Sequence, residues 1–166
     1  MDGPLKNLLV IDLTRVLVGP YCTMILSDLG ARVIKIEAPE VGDDSRKFGP
    51  FIDDYSAYFM SLNRGKESIA LNLKNSDDKK IFDKILSKAD ILVENFKPGT
   101  LERWGFGWKE VNKKYPKLIY ASASGFGQTG PLRELPAYDM VVQGMGGLMS
   151  VTGQPNSEPT RVGTSI

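Results

Sequence analysis

Short apolar runs alternate with amphipathic segments along most of the chain. Residues 8–11 are all apolar, which is typical of a strand buried on both faces of a sheet. A loop over residues 12–19 leads to Pro20, a favoured first residue of a helix, and the helical pattern that follows ends at Gly30. Residues 33–37 have the pattern of a second strand. A strand, a helix and a strand within about 30 residues predict a right-handed parallel crossover.

The same alternation recurs farther along the chain. Ser76 is a candidate N-cap, because acidic residues occupy the next turn and an apolar helical face follows. Residues 91–93 and 118–122 are further apolar runs that predict strands, and residues 69–73 alternate as an additional strand would. Short helices are predicted between these strands at residues 98–103 and 109–114.

These elements predict an α/β fold, a Rossmann-like open parallel sheet with helices on both faces. At 166 residues the chain has the length of one ordinary domain, so a single domain over residues 1–166 is expected.

Composition narrows the function classes. The net charge is +1, with 21 basic and 20 acidic residues, so no long-range field favours nucleic acid or an anionic membrane as a partner. No run approaches the roughly 18 apolar residues that a membrane helix needs. We therefore expect a cytoplasmic protein, or a mitochondrial matrix protein in a eukaryote.

The chain has one cysteine and no histidine, which excludes internal disulfides, nearly all zinc sites and any catalytic group that needs histidine. Cys22 falls on the predicted apolar face of the first helix with Met24, Ile25 and Leu29. We therefore expect it in the core and not as a nucleophile.

Ligands of open parallel sheets gather beyond the carboxyl ends of the strands. Three loops leave such ends, at residues 12–19, 94–99 and 123–138. The last contains the octet SGFGQTGP (residues 124–131), whose glycines have dinucleotide-binding spacing. That motif also needs a helix starting inside it and an acidic residue about 20 positions on, and both are missing. A glycine-proline turn is the favoured interpretation.

The segment Asn95-Phe96-Lys97-Pro98-Gly99 presents an amide, a flat ring and a cation at a strand end. This set suits a phosphorylated nucleotide, with the ring stacked on the base and Lys97 or Arg103 bound to phosphate. A capped turn with a half-buried ring and solvated cations explains the segment equally well.

Six segments taken in order form a more specific pattern. They are residues 10–20 (VIDLTRVLVGP), 28–37 (DLGARVIKIE), 42–46 (GDDSR), 63–69 (NRGKESI), 93–99 (VENFKPG) and the octet at 124–131. Together they resemble the N-terminal part of the family III CoA-transferases, which include formyl-CoA transferase and the dicarboxylate and carnitine CoA-transferases. The resemblance covers essentially the whole chain.

The resemblance implies that residues 1–166 are the CoA-binding, Rossmann-like N-terminal region of a longer protein, without its second domain. Coenzyme A or an acyl-CoA and a carboxylic acid are then the substrates, no tightly bound cofactor is expected, and the whole protein is expected to be a homodimer of interlocked subunits. In formyl-CoA transferase an arginine that helps to hold the nucleotide stands where this chain has Ala38. The positions that match the family's CoA contacts are Leu17, Val18, Leu71, Asn72, Lys74, Asn95, Phe96, Lys97, Arg103, Tyr138 and Asp139.

The mechanism that the resemblance implies uses an aspartate as nucleophile. Its carboxylate attacks the donor thioester to give a mixed anhydride and CoA thiolate, the thiolate returns to form an aspartyl-CoA thioester, and the acceptor carboxylate reverses these steps. The resemblance places this aspartate two residues beyond Ile166, so the chain alone is expected to be inactive.

Other functions stay open at this point. A non-catalytic CoA- or nucleotide-binding module would use the same strand-end loops. The related α-methylacyl-CoA racemases have a histidine where this chain has Tyr138, and a tyrosine is a poor base at neutral pH. An NAD-dependent oxidoreductase is opposed by the missing fingerprint. The acceptor acid is open as well, because Arg15 could clamp a second carboxylate or serve as a structural ion-pair partner.

Overall fold

A computed structural model describes residues 3–163, and the chain divides between Ala123 and Ser124 into two compact units. The elements of the first unit, in chain order, are β1 (Leu9–Asp12), α1 (Val18–Asp28), β2 (Arg32–Glu37), a short 3₁₀ helix (Asp44–Lys47), β3 (Phe51–Ile52), β4 (Tyr55–Ser56), α2 (Ala57–Asn63), β5 (Glu67–Ala70), α3 (Ser76–Leu86), β6 (Ile91–Glu94), α4 (Thr100–Trp104), α5 (Trp108–Lys114) and β7 (Ile119–Ser122).

Five of these strands form one parallel sheet in the order β5-β2-β1-β6-β7, and β3 and β4 form a separate antiparallel hairpin. The chain runs from β1 to β2 and β5 on one side, then returns to the other side of β1 for β6 and β7. The order therefore reverses between β1 and β6.

Alternate residues of the strands build two cores on opposite faces of the sheet. Val10, Val33 and Val93 face one side, where Leu26 of α1 packs against them. On the other side, Ile11 and Leu92 belong to a larger cluster with buried residues of α3, α4 and α5, namely Phe82, Leu86, Leu101 and Val111. The predicted Rossmann-like sheet with helices on both faces is confirmed.

The face of α1 that packs on the sheet differs from the predicted one. Its buried residues are Gly19, Pro20, Thr23, Met24 and Ser27. Cys22 is exposed, so the prediction that it lies in the core is wrong, and Ile25 and Leu29 are each 41% exposed. A buried hydrogen bond explains the rotation, because the Thr23 hydroxyl donates to Oδ2 of Asp12 at 2.7 Å. Met24 is the one member of the predicted apolar stripe that is buried, and the bond from Thr23 to Asp12 fixes the face of this helix that meets the sheet.

Several helix and strand boundaries differ from the predicted ones by one to three residues. Helix α1 begins two residues before Pro20. Asn75, and not Ser76, is the N-cap of α3, since its side-chain oxygen accepts from the Asp77 N–H at 2.7 Å. Strand β5 begins two residues earlier than the predicted segment 69–73 and ends at Ala70, three residues before the predicted end.

The second unit contains α6 (Asp139–Met145) and a short 3₁₀ helix (Leu148–Ser150). The octet at 124–131 is a turn region with Gly127 and Gly130 at φ of 78° and 91°. The next helix among the described residues begins only at Asp139, so the octet lacks the helix that a dinucleotide fingerprint requires.

None of the helices described between residues 3 and 163 combines the length and apolar character needed to cross a lipid bilayer. The same part of the chain contains no group of three or more metal-ligating side chains.

Candidate functional site

The order of the strands reverses between the parallel neighbours β1 and β6, and the loops that leave the carboxyl ends of these two strands lie side by side there. Asp12 and Val93 are register partners, and the Leu13 N–H donates to the Val93 carbonyl at 2.8 Å. Beyond this bond the chain turns away on both sides, residues 13–17 toward α1 and residues 95–99 toward α4. This switch point is where open parallel sheets bind their ligands.

The side chain of Asn95 joins the two loops. Its Oδ1 accepts from the Arg15 N–H at 2.9 Å, and its Nδ2 donates to the Arg15 carbonyl at 2.8 Å. Both polar backbone groups of Arg15 are therefore paired with one carboxamide. The amide keeps one further N–H and one further lone pair that could meet a ligand.

Phe96 is half-buried beside this junction. Its ring packs edge-on against Trp104 with centroids 5.3 Å apart, and the guanidinium carbon of Arg15 lies 5.9 Å from its centroid. The Phe96 N–H donates to Oε2 of Glu94 at 2.8 Å. Phe96 is thus fixed by its ring and by its backbone, which favours it as a stacking surface.

Glu94 is a buried carboxyl directly beneath this loop. Burial raises its pKa, and the nearby charge of Glu102 adds to the effect, whereas hydrogen bonds from the Ser122 side chain and the Phe96 N–H oppose it. The net effect is a pKa above the ordinary value.

Exposed cations surround the switch point. Arg15 forms a half-exposed ion pair with Asp44, with Nη1 and Oδ2 3.2 Å apart. Arg103, in α4, donates from Nη2 to the Thr100 hydroxyl at 3.0 Å, and Lys97 is exposed on the loop that follows β6. These charges favour an anionic ligand.

The first loop, residues 13–17, ends at Leu17, which is half-buried at the N-cap of α1. Val18, the first residue of this helix, is 62% exposed. Together with Asn95, Phe96, Lys97 and Arg103, these two residues are the predicted contacts that flank the junction of β1 and β6.

The predicted contacts after β5 lie at the same carboxyl edge but farther away. Three strand spacings, roughly 14 Å, separate β5 from β6. Leu71 is buried in the core, so a ligand could meet only its backbone. Asn72 caps the following turn by accepting from the Lys74 N–H at 3.1 Å, and Lys74 is exposed. This group could reach only a second part of a long ligand.

Tyr138 and Asp139 belong to the second unit. Tyr138 is the N-cap of α6 and is 76% exposed. Oδ2 of Asp139 accepts from Nε2 of Gln143 at 2.8 Å.

Two buried ion pairs lie beneath the first loop, and the residue patterns considered above did not single them out. Lys66 donates from Nζ to Oδ2 of Asp12 at 3.0 Å, and Lys35 places Nζ 2.9 Å from Oδ2 of Asp43. All four side chains are at most 2% exposed. The available signal was Lys35 within the apolar strand VIKIE, where a cation needs a buried partner.

Lys66 and Asp43 have shifted pKa values in this cluster. Burial lowers the pKa of Lys66, although Asp12 opposes the shift. Burial alone would raise the pKa of Asp43, but the charge of Lys35 and the hydrogen bonds from Ser45 outweigh it, so this pKa is lowered.

Glu37 extends the cluster toward the surface. Its carboxylate accepts two hydrogen bonds from Arg46, each 2.7 Å long, and one from the Ser68 hydroxyl at 2.7 Å. Burial alone would raise the pKa of Glu37, but these bonds and one from the Asp43 N–H lower it overall.

Comparison with known proteins gives a consistent result. Residues 5–166 match the profile described as CoA-transferase family III. The chain is 60% identical over 161 residues to the acetyl-CoA:oxalate CoA-transferase of Acetobacter aceti, covering 97% of this chain and 41% of that protein. It is 44% identical over 164 residues to the human succinyl-CoA:glutarate CoA-transferase, covering 98% and 37% respectively.

Among solved structures, a CAIB/BAIF family protein from Brucella suis superimposes with a TM-score of 0.93 at 41% identity, over 99% of this chain and 45% of that one. The chain thus spans about two fifths of the length of the curated relatives it matches.

Proposed function

The chain belongs to CoA-transferase family III, as its sequence pattern predicted, and we propose on that basis that the switch-point loops bind the nucleotide and phosphate part of a CoA thioester. The Asn95 junction carries this proposal. It joins the first loop to the segment that carries Phe96 and Lys97, and so holds an aromatic face and a cation together at the edge where parallel sheets bind ligands. In this arrangement Phe96 would stack on the adenine, and Lys97 and Arg103 would neutralise phosphates.

The proposal is tested by titration calorimetry of the 166-residue chain, and of the whole protein that contains it, with CoA and with NADH. We expect CoA to bind and NADH to bind far more weakly. Phe96→Ala should weaken CoA binding roughly tenfold, as loss of an aromatic-base stack does. Arg103→Ala should have an effect of similar size and should reduce the dependence of the affinity on salt.

Lys80→Ala provides the matched control, because Lys80 is an exposed cation on α3 that pairs with Asp77, three residues earlier in the same helix. This variant should bind CoA as the wild type does. The proposal fails if well-folded protein gives no heat with CoA, or if the Phe96 and Lys80 variants lose the same affinity.

For the whole protein, we propose transfer of CoA between an acyl-CoA and a dicarboxylic acid. The related transferases named above act on oxalate and glutarate, and another relative, from Haloarcula marismortui, is a succinyl-CoA:mesaconate CoA-transferase. Arg15 is the candidate for the second carboxylate, since its half-exposed guanidinium holds a single, exposed carboxylate partner, Asp44, among the described residues. A dicarboxylic acid could replace that partner with a bidentate pair.

An acceptor screen of the whole protein tests this assignment. Arg15→Ala should lower kcat/KM for oxalate, succinate and glutarate at least tenfold more than for acetate. Equal effects on mono- and dicarboxylic acids would remove Arg15 from this role and leave the CoA site untouched.

We also propose that the reaction runs through the aspartyl nucleophile described above, at a position two residues beyond Ile166. Mass spectrometry of the whole protein after incubation with an acyl-CoA should then detect a CoA adduct on that aspartate. Transfer of CoA between acids by the 166-residue chain alone would contradict this proposal. The whole protein is expected to be a homodimer, which light scattering would test.

A further inference from the structure

The backbone of the first loop is held by side chains from several elements. Asn95, after β6, pairs with both polar backbone groups of Arg15. Lys35, in β2, donates from Nζ to the Thr14 carbonyl at 2.7 Å. Asp43, just before the 3₁₀ helix, accepts from the Val16 N–H at 3.1 Å through Oδ1. Three successive residues are therefore each fixed by a side chain from a different part of the first unit.

Val16 is the strained residue of this loop. Its φ is +71°, in the left-handed region that a β-branched side chain strongly disfavours. Such a conformation persists only where the surroundings enforce it. The hydrogen bond from the Val16 N–H to Asp43 is the contact that ties this residue to the buried cluster.

Asp43 is itself rigidly placed. It is 1% exposed, and its Oδ1 also accepts from the Ser45 N–H at 2.9 Å and from the Ser45 hydroxyl at 2.7 Å. Its Oδ2 makes an ionic contact with Lys35 at 2.9 Å that lacks hydrogen-bond geometry. Lys35 therefore supplies the counter-charge for Asp43 and a direct bond to the loop, so the two residues act on the loop together.

We propose that Asp43, with Lys35 as its counter-ion, is a positioning residue that holds Val16 in the left-handed conformation and so presents Arg15 and Leu17 at the switch point before any ligand arrives. The functional part of this inference rests on the CoA site proposed above. Asp43 need not touch the ligand. It acts on affinity through the fraction of molecules whose loop is already in the binding conformation.

The order of the loop is measured first without ligand, by hydrogen exchange of the Arg15 and Val16 amides in the whole protein. Asp43→Ala should speed exchange at both amides at least tenfold, while exchange in β1 stays near the wild-type rate. Unchanged protection of the Val16 amide would overturn the proposal, whether or not CoA binds.

Affinity for CoA is measured next, by calorimetry. Asp43→Ala should weaken binding roughly tenfold, because about a tenth of the molecules then hold a competent loop. Asp43→Asn keeps the acceptor for Val16 but loses the charge that Lys35 needs, and it should weaken binding by roughly threefold. If Asp43→Ala does not fold, Asp43→Asn and Lys35→Met test the same point, and wild-type affinity in both would refute it.

A rescue experiment separates positioning from a general loss of structure. Adding Val16→Gly to Asp43→Ala should restore most of the affinity, because glycine adopts positive φ without strain. Asn156→Gly is the matched control, since Asn156 also has a positive φ, 65°, and its replacement by glycine likewise changes no charge. This second change should restore nothing. If Val16→Gly fails to restore affinity, Asp43 does not act through Val16 and the inference falls. If the wild type itself binds no CoA, the proposed function fails, and the exchange data alone judge the role of Asp43.

Discussion

Replacing Lys66 by methionine should destabilise the first unit strongly. Nζ of Lys66 donates to Oδ2 of Asp12 at 3.0 Å, to the Pro20 carbonyl at 3.0 Å and to Oδ1 of Asn63 at 2.9 Å, and its side chain is 1% exposed. The variant leaves a fully buried carboxylate without its cation and removes the donor from two further oxygens. Breaking a buried pair from one side costs about 3–5 kcal/mol, which for a unit of this size lowers Tm by roughly 10–20 °C.

Both tryptophans, Trp104 and Trp108, lie in the first unit, so their fluorescence during urea unfolding reports on it. Lys80→Met is the control: it makes the same chemical change in a pair whose side chains are 73% and 78% exposed, and it should cost less than about 0.5 kcal/mol. Adding Asp12→Asn to Lys66→Met should recover at least half of the loss, since the buried charge is then gone. The reasoning is refuted if Lys66→Met costs no more than the control, or if Asp12→Asn recovers nothing.

Three further predictions concern stability. Because burial raises the pKa of Glu94, its contribution to the free energy of unfolding is fully present below the ordinary value of 4.5 and is lost as pH rises through the native pKa. The stability of Glu94→Gln relative to wild type, measured by urea unfolding, should therefore be higher at pH 8 than at pH 4. A difference that does not depend on pH would contradict this. Glu37 has a lowered pKa, so its contribution is present above 4.5 and is lost as pH falls through the native pKa; Glu37→Gln should cost stability at pH 7 and progressively less in acid, as thermal unfolding across pH would show. Gly65→Ala should cost about 2 kcal/mol or more by calorimetry, because φ is +74° and the new Cβ would lie 2.7 Å from the Ser27 hydroxyl; a neutral effect would mean that the backbone relaxes there.

Much of the architecture could be predicted from local pattern. The apolar runs at β1, β2 and β6 are buried strands, whereas β7 is a half-exposed strand at the edge of the sheet. The alternation of these runs with amphipathic segments was enough to predict a parallel sheet with helices on both faces. The predicted location of the ligand site followed from the same order, since the carboxyl ends of parallel strands share one edge. The prediction of the buried face was wrong for helix α1. Its apolar stripe predicted a buried Cys22, whereas the polar Thr23 faces the sheet.

The sequence alone determined the order of the five sheet strands and of helices α1, α3, α4 and α5, the family, and the absence of histidine from these 166 residues, because hydrophobic period, motif order and composition are local or countable properties. It did not predict the hairpin β3–β4 or the helices α2 and α6. Only the tertiary structure decided which charges meet. Asp12 with Lys66, and Lys35 with Asp43, pair across 54 and 8 positions of the chain, and Asn95 reaches Arg15 across 80. Such contacts depend on which loops the crossovers bring together at one edge of the sheet. No residue pattern along the chain encodes that proximity, so the shape of the first loop and the role of the residues that hold it became visible only in three dimensions.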